Sequence, residues 1–318
     1  MQALWLEEQT LSLRSDLPTP EPHAQEALVR VLCAGICNTD MELLRGYYPY
    51  RGILGHEFVG VVEQGPTALL GQRVVGEINA YCGHCQFCRR GMTSHCEQRT
   101  VLGIVNRHGA FASYLTLPHR NLHPVPDTVA TAAATFTEPL AAALEILEQV
   151  TVERGDRVLV VGDGKLGLLI AQVLALTGCD LFVAGRHPQK LAILDRRGID
   201  TGPVTQVHPR TYDIAVDCTG NPQGFDLARQ ALRPRGTLVL KSTYAGKLSL
   251  DASALVVDEI TVVGSRCGPF QKALQVLEQN QVDVSALIQA TYPLHQGLEA
   301  FRKAQERGVL KVLLEIST

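Results

Sequence analysis

The ten residues Val158–Gly167, VLVVGDGKLG, decide how the middle of this chain is read. Four apolar residues run into Gly162-Asp163-Gly164-Lys165-Leu166-Gly167, a G-x-G-x-x-G pattern, and an apolar stretch without breakers follows. A strand that turns through glycines into a helix is the form that cradles a dinucleotide pyrophosphate. The first glycine makes the tight turn, the second lets the backbone approach the phosphates, and the third lets helix and strand pack closely. The helix N-terminus adds partial positive charge. Gly162, Gly164, Lys165, Leu166 and Gly167 are therefore candidate cofactor-binding residues.

Outward from this loop, the candidate strands RVLVVG, LFVAG, IAVDCTG, TLVLKS and ITVVGS alternate with candidate helices at 165–177, 188–197 and 222–232. That alternation predicts βαβ units and a mostly parallel, doubly wound sheet. At the end of the second strand, an NAD enzyme wants an acidic residue for the ribose 2′-hydroxyl. Gly185-Arg186-His187 stand there instead, while Asp180 is at the wrong end and Asp195 lies far down the next helix. Arg186 can pair with a 2′-phosphate, which favours NADP over NAD; the alternative is that it stacks on adenine. Thr219, in Asp217-Cys218-Thr219-Gly220, and Arg266, after the last strand, are further candidates for cofactor contact.

The first ~135 residues read as short strands and turns, with apolar runs at 27–32 and 58–62. A helix, broken or offset at Pro139, is expected from about Val129. The tail returns to a helix at 271–279 and ends in the strand-like VLKVLLEI. Within the first part, Cys82, Cys85, Cys88 and Cys96 have the spacing C-x2-C-x2-C-x7-C. Four thiolates in fifteen residues suit a closed tetrahedral zinc site. An iron–sulfur cluster is the competing reading, but the fourth cysteine comes late and no proline follows it. His84 and His95 could substitute as ligands, yet four cysteines already fill the shell.

Three further pieces carry metal-ligand chemistry: Gly35-Ile36-Cys37-Asn38-Thr39-Asp40, Gly55-His56-Glu57 and Phe136-Thr137-Glu138-Pro139-Leu140. None decides anything alone, since a lone cysteine is usually a small core residue. Their order, with the cysteine lobe and the glycine loop, resembles the zinc-dependent alcohol dehydrogenases of the medium-chain dehydrogenase/reductase superfamily. Within these the chain looks most like the sorbitol and glucose dehydrogenase branch, where a glutamate replaces the second cysteine ligand. The resemblance covers essentially the whole chain.

It implies an α/β architecture: a β-rich GroES-like catalytic domain over 1–138 with a structural zinc lobe at 82–96, a Rossmann domain over 139–266, and a segment 267–318 completing the first. It implies two zincs per chain and a hydride exchanged between an alcohol or carbonyl and the nicotinamide cofactor. Cys37 and His56 would be zinc ligands, with Glu138 third, directly or through water, and Glu57 an alternative that exchanges with water. Asp40 would orient His56, and Thr39 would hydrogen-bond the substrate hydroxyl and start a proton relay. One departure is Glu42, where several members have a histidine at the outer end of that relay. Tyr47, Tyr48 and Tyr50 lie in the stretch expected to line the pocket, and a homodimer or homotetramer is expected. His108, His119, His123, His208 and His295 read as solvated loop residues.

The bulk composition is that of a globular enzyme, with 46% hydrophobic and 19% charged residues. A net charge of −3 argues against nucleic acid as a partner, and against a zinc-ribbon module acting on it. The longest uncharged apolar stretch, 166–179, is shorter than the ~20 residues of a membrane span. The N-terminal MQALWLEEQTL has no basic run, which argues against a secretory signal and for the cytoplasm. A zinc-free quinone or enone reductase on the same scaffold is the rival enzyme, disfavoured by the two ligand sets.

Overall fold

The computed structural model describes residues 1–244 and 247–316. From the N-terminus the chain runs through β1 (Ala3–Glu7), β2 (Thr10–Arg14), β3 (Glu26–Gly35), α1 (Asn38–Leu44), β4 (Gly52–Ile53), β5 (Glu57–Gln64), β6 (Arg73–Gly76), β7 (Asn79–Ala80), α2 (Gln86–Arg89), β8 (Thr100–Val101), β9 (Tyr114–Pro118) and β10 (Leu122–Pro124). Two helices follow, α3 (Thr131–Ala134) and α4 (Thr137–Gln149). Strands and helices then alternate: β11 (Arg157–Val161), α5 (Lys165–Ala175), β12 (Asp180–Gly185), α6 (Pro188–Asp195), β13 (Asp200–Pro203), β14 (Tyr212–Asp217), α7 (Pro222–Ala231), β15 (Leu232–Leu240), α8 (Ala252–Val257) and β16 (Thr261–Gly264). The last stretch holds α9 (Phe270–Glu278), β17 (Ile288–Pro293), α10 (Gly297–Gln305) and β18 (Lys311–Glu315).

Two compact units result. One takes Met1–Glu138, Phe270–Asn280 and the residues from Val284 on; the other takes Pro139–Pro269 and Gln281–Asp283. The second unit is thus slightly larger than 139–266. Gly268 packs against the Ala141 carbonyl, where a Cβ would clash. The Gln172 side chain of α5 holds Asp283, accepting from its amide at 2.8 Å and donating to its carbonyl at 3.2 Å.

In the second unit a parallel sheet runs in the order β13-β12-β11-β14-β15-β16. Val158, Leu159, Val160 and Val161 are all buried, as expected of a central strand covered on both faces. β13 was not among the candidate strands. It is only DTGP, and a glycine and a proline in four residues give no strand signal; such a segment is tolerated at the sheet edge where it lies. The alanine-rich helix is interrupted before Thr137 and not at Pro139. Pro139 sits in the first turn of α4, where its missing N–H costs nothing.

In the first unit the main sheet runs β10-β6-β5-β3-β18-β17, with β9 also on β3. β3 lies between β5 and β18, antiparallel to both, and Gly35 at its end faces Glu57 on one side and Leu313 on the other. That register brings together three points far apart in sequence: the residues leaving β3, those entering β5, and the start of β18. Lys311, beside the fully buried Val312 and Leu314, is itself only 2% exposed. Its ammonium donates to Glu57 Oε2, lies 3.5 Å from the Ile36 carbonyl and sits 5.6 Å from the Phe136 ring centroid. Gly35 makes room for this pair, because a Cβ there would collide with Glu57 Oε2. Burial alone would lower the Lys311 pKa; the Glu57 carboxylate and then the Cys37 thiol outweigh it and hold it above the ordinary lysine value.

Removing one member of such a pair leaves a buried, uncompensated charge. Lys311→Met is expected to lower unfolding free energy by about 3–5 kcal/mol. Lys311→Met with Glu57→Gln should recover much of that in urea titrations. A single-variant loss well under 1 kcal/mol would contradict the pairing.

Candidate active site

Cys37 caps the N-terminus of α1, and Asp40, three residues on, reaches back to accept from the Cys37 amide at 2.8 Å through Oδ2. That bond fixes the Asp40 carboxylate, which is fully buried, with Oδ1 turned 3.4 Å from Nδ1 of His56. His56 enters β5 from the preceding loop and is 3% exposed. With Nδ1 towards Asp40, Nε2 is the ring nitrogen left to bind a metal, and Cys37 lies within hydrogen-bonding reach of the ring. Burial by itself would lower the His56 pKa, but the Asp40 charge, the Asp40 hydrogen bond and the adjacent Cys37 together outweigh it and raise the value well above that of a free imidazole.

The donor atoms of Cys37, His56 and Glu57 all lie within 4.8 Å of one another. Sulfur, nitrogen and oxygen donors around one point fit a zinc ion with an open position. Glu138, in the first turn of α4, is outside this group among the described residues, though Lys311 feels its charge. The Thr39 hydroxyl lies 3.8 Å from Cys37 Sγ. Glu42 is engaged by the Arg45 guanidinium at 2.6 Å. Tyr47 and Tyr48 are exposed, and the Tyr50 hydroxyl is spent on the carbonyls of Ile53 (2.7 Å) and Arg107 (2.9 Å).

Lys311 was not among the site residues expected from the sequence. The signal was present: a single cation inside the apolar strand VLKVLLEI has to be paired if that strand is buried.

The thiols of Cys82, Cys85, Cys88 and Cys96 form the second donor group. Zn–S bonds of about 2.3 Å in a tetrahedron put sulfurs roughly 3.8 Å apart. The Cys82–Cys88 and Cys85–Cys88 separations are 3.9 and 3.5 Å. Backbone amides point at the sulfurs, from Cys82 to Cys96 Sγ at 3.3 Å and from Cys85 to Cys82 Sγ at 3.4 Å. The Cys88 amide pulls the Cys85 thiol down to about 6, favouring the thiolate a metal needs. His84 and His95 stand outside the group; both are exposed, and the His84 ring faces the Cys82 carbonyl.

Two histidines differ from the solvated-loop expectation. His123 lies in β10, paired with Glu77 at 2.9 Å and stacked on Phe270. His108 packs its ring 5.3 Å from that of Trp5.

In the second unit, Gly162 takes φ +119°, a conformation side chains avoid, and Gly167 packs against the Gly162 carbonyl where no Cβ fits. Around Gly164 a Cβ would meet nothing, so the backbone there faces open space, as close approach of a pyrophosphate requires. Arg186 is exposed at the end of β12, and Lys165 and Leu166 open α5. Thr219 donates its hydroxyl and amide to the buried Asp217, at 2.6 and 2.9 Å. The Arg266 carbonyl accepts from the buried Lys241 ammonium at 2.8 Å, and its side chain is exposed.

Two donor clusters and a glycine loop on a parallel sheet define a zinc-binding dehydrogenase. A family model for an alcohol dehydrogenase GroES-like domain matches residues 23–127, and one for zinc-binding dehydrogenases matches residues 166–279. The chain is 29% identical over 325 residues to a sorbitol dehydrogenase of Halalkalibacterium halodurans, covering 93% of each. A Sinorhizobium meliloti 1021 structure bound to NADP superposes with a TM-score of 0.90 at 26% identity, covering 99% of this chain and 98% of that one. An Escherichia coli CFT073 alcohol dehydrogenase complexed with NADH gives 0.90 and 26%, over 99% of both. The chain belongs to the zinc-dependent medium-chain dehydrogenase/reductase family, and its class is that of NAD(P)-dependent zinc alcohol dehydrogenases.

Asp40 supports both the helix cap and the histidine. Asp40→Ala is expected to cost about 1 kcal/mol of stability and to weaken zinc binding about 10–100-fold. Chelator competition measures the second effect, and unchanged zinc affinity would refute the orienting role.

Proposed function

We propose that the protein interconverts a polyol-type alcohol and the matching carbonyl, with NADP preferred over NAD and two zinc ions per chain. The observation that carries this reading is the meeting of Cys37, His56 and Glu57 at one point beside Lys311. A zinc-free quinone or enone reductase has no use for such a cluster, and neither does a nucleic-acid module built on the cysteine lobe. The sorbitol dehydrogenase relative supports a polyhydric substrate.

Zinc held there would polarise the substrate oxygen as a Lewis acid. Cys37 and His56 would be two of its ligands, and Glu57, whose carboxylate lies with them, would be the third. Glu138 would then be the glutamate that exchanges with Glu57 or reaches through water. Asp40 keeps His56 turned with Nε2 inward. Lys311 offsets part of the negative charge that Cys37 and Glu57 concentrate in a buried place. The Thr39 hydroxyl takes the substrate proton and passes it to solvent, since Glu42 is engaged by Arg45. A bound nicotinamide would supply the acceptor for the hydride that leaves the alcohol carbon as that proton is lost.

The four-cysteine lobe holds the second, structural zinc. Gly162, Gly164 and Gly167, with the amides of Lys165 and Leu166, receive the pyrophosphate at the start of α5. Arg186 takes the 2′-phosphate, and Thr219 and Arg266 contact the rest of the cofactor. Exposed Val256 and Val257 on α8 and Val262 on edge strand β16 support self-association, as a homodimer or homotetramer. No helix among the described residues is long and apolar enough to cross a membrane. We assign the enzyme to the cytoplasm, where cysteines serve as thiols and metal ligands.

Two variants test the parts separately. Cys37→Ala should abolish polyol oxidation while leaving the circular dichroism spectrum and the lobe zinc in place; substantial residual turnover would overturn the ligand assignment. Arg186→Asp should shift preference from NADP toward NAD, and an unchanged NADPH dissociation constant would remove the 2′-phosphate contact.

A further inference from the structure

The turn after β12 is held by a side chain from a different loop. Asp163, between the first two glycines of the pyrophosphate loop, is 7% exposed and points to the C-terminal end of β12. Its Oδ2 accepts from the amides of Arg186 and His187, each at 2.6 Å. Its Oδ1 lies 3.0 Å from Nδ1 of His187. The parallel pairing of Val161 with Ala184 sets the two loops side by side. Gly185 then allows the contact, because a Cβ there would stand 2.6 Å from Asp163 Oδ2.

No carboxylate stands at this corner in the sequence itself, and the fold brings one there from the glycine loop. A carboxylate has about four acceptor positions, and two amides and an imidazole occupy three of them here. It is therefore committed to the protein's own turn and not standing free for a ribose hydroxyl. Burial alone would raise its pKa; hydrogen bonds from His187 and Arg186 outweigh that and keep it below the ordinary aspartate value, hence ionised at neutral pH.

We propose that Asp163 is a positioning residue for cofactor choice: by gathering the Arg186 and His187 amides it fixes the turn that presents Arg186, and His187 beside it, to a 2′-phosphate. This rests on the reading that the Gly162–Gly167 loop binds a nicotinamide dinucleotide. Two effects of Asp163 oppose each other. Its negative charge repels a nearby phosphate, so by charge alone its removal would tighten NADPH. Its grip on the turn orders the guanidinium, so by positioning its removal weakens NADPH and leaves NADH largely untouched. Three hydrogen bonds fix that turn, and we assign the larger effect to positioning.

The test is the binary dissociation constant of NADPH and of NADH, read from cofactor fluorescence without substrate, in wild type, Asp163→Ala and Asp163→Asn. The Ala variant is expected to bind NADPH about tenfold more weakly, equal to about 1.4 kcal/mol, with NADH within about twofold. Asn keeps an oxygen acceptor for both amides and should restore most of the NADPH affinity. The proposal is overturned if Ala tightens NADPH, if both cofactors weaken alike, or if neither changes. It is equally overturned if Asn, with the acceptor retained, loses NADPH selectively. Wild type binding NADH more tightly would refute the NADP assignment, while the change in ratio on substitution would still decide the role of Asp163.

Discussion

The buried ion pair between Glu57 and Lys311 is the constraint on which the first unit is built. A carboxylate and an ammonium, 1% and 2% exposed, sit where apolar side chains would otherwise pack. Each alone would cost several kcal/mol in that setting, so each requires the other. Their meeting needs β5 and β18 to flank β3, and it needs no side chain at Gly35. The C-terminal strand must therefore return, across more than 250 residues of sequence, before the site entered by His56 is complete. The pair also sets the charge of the donor cluster, because Lys311 faces Cys37, Glu57 and Glu138 at once.

The first unit carries two kinds of donor group. The cysteine lobe is a local structure: its four donors lie within fifteen residues, and short turns with amides directed at sulfur hold them. The mixed cluster is non-local, drawn from the residues that follow β3 and those that enter β5. Its ligand ring is oriented by Asp40, which is itself oriented by the backbone of Cys37. The local group offers sulfur alone, while the non-local one offers sulfur, nitrogen and oxygen.

What the sequence made legible follows the same division. The spacing of the cysteines and the strand–glycine–helix pattern are short-range signals, and both appear in the structure where they were expected. Most strands of the second unit were legible because βαβ strands are continuously apolar; β13 was not, since DTGP carries no such signal. The placement of Glu57 inside the donor cluster depends on register between β3 and β5, which no local pattern encodes. Lys311 and Asp163 were missed for one reason. Each acts on a residue distant in sequence, and each reads in isolation as an ordinary charge near a strand or turn.

The most direct test of the central claim is zinc K-edge X-ray absorption on the protein as purified. Two chemically different sites predict a sulfur shell near about 2.3 Å together with a nitrogen and oxygen shell near about 2.0–2.1 Å. In Cys37→Ala the light-atom shell should fall away, leaving an all-sulfur spectrum. A wild-type spectrum with sulfur neighbours alone would contradict the account, because it would leave Cys37, His56 and Glu57 without a metal to hold.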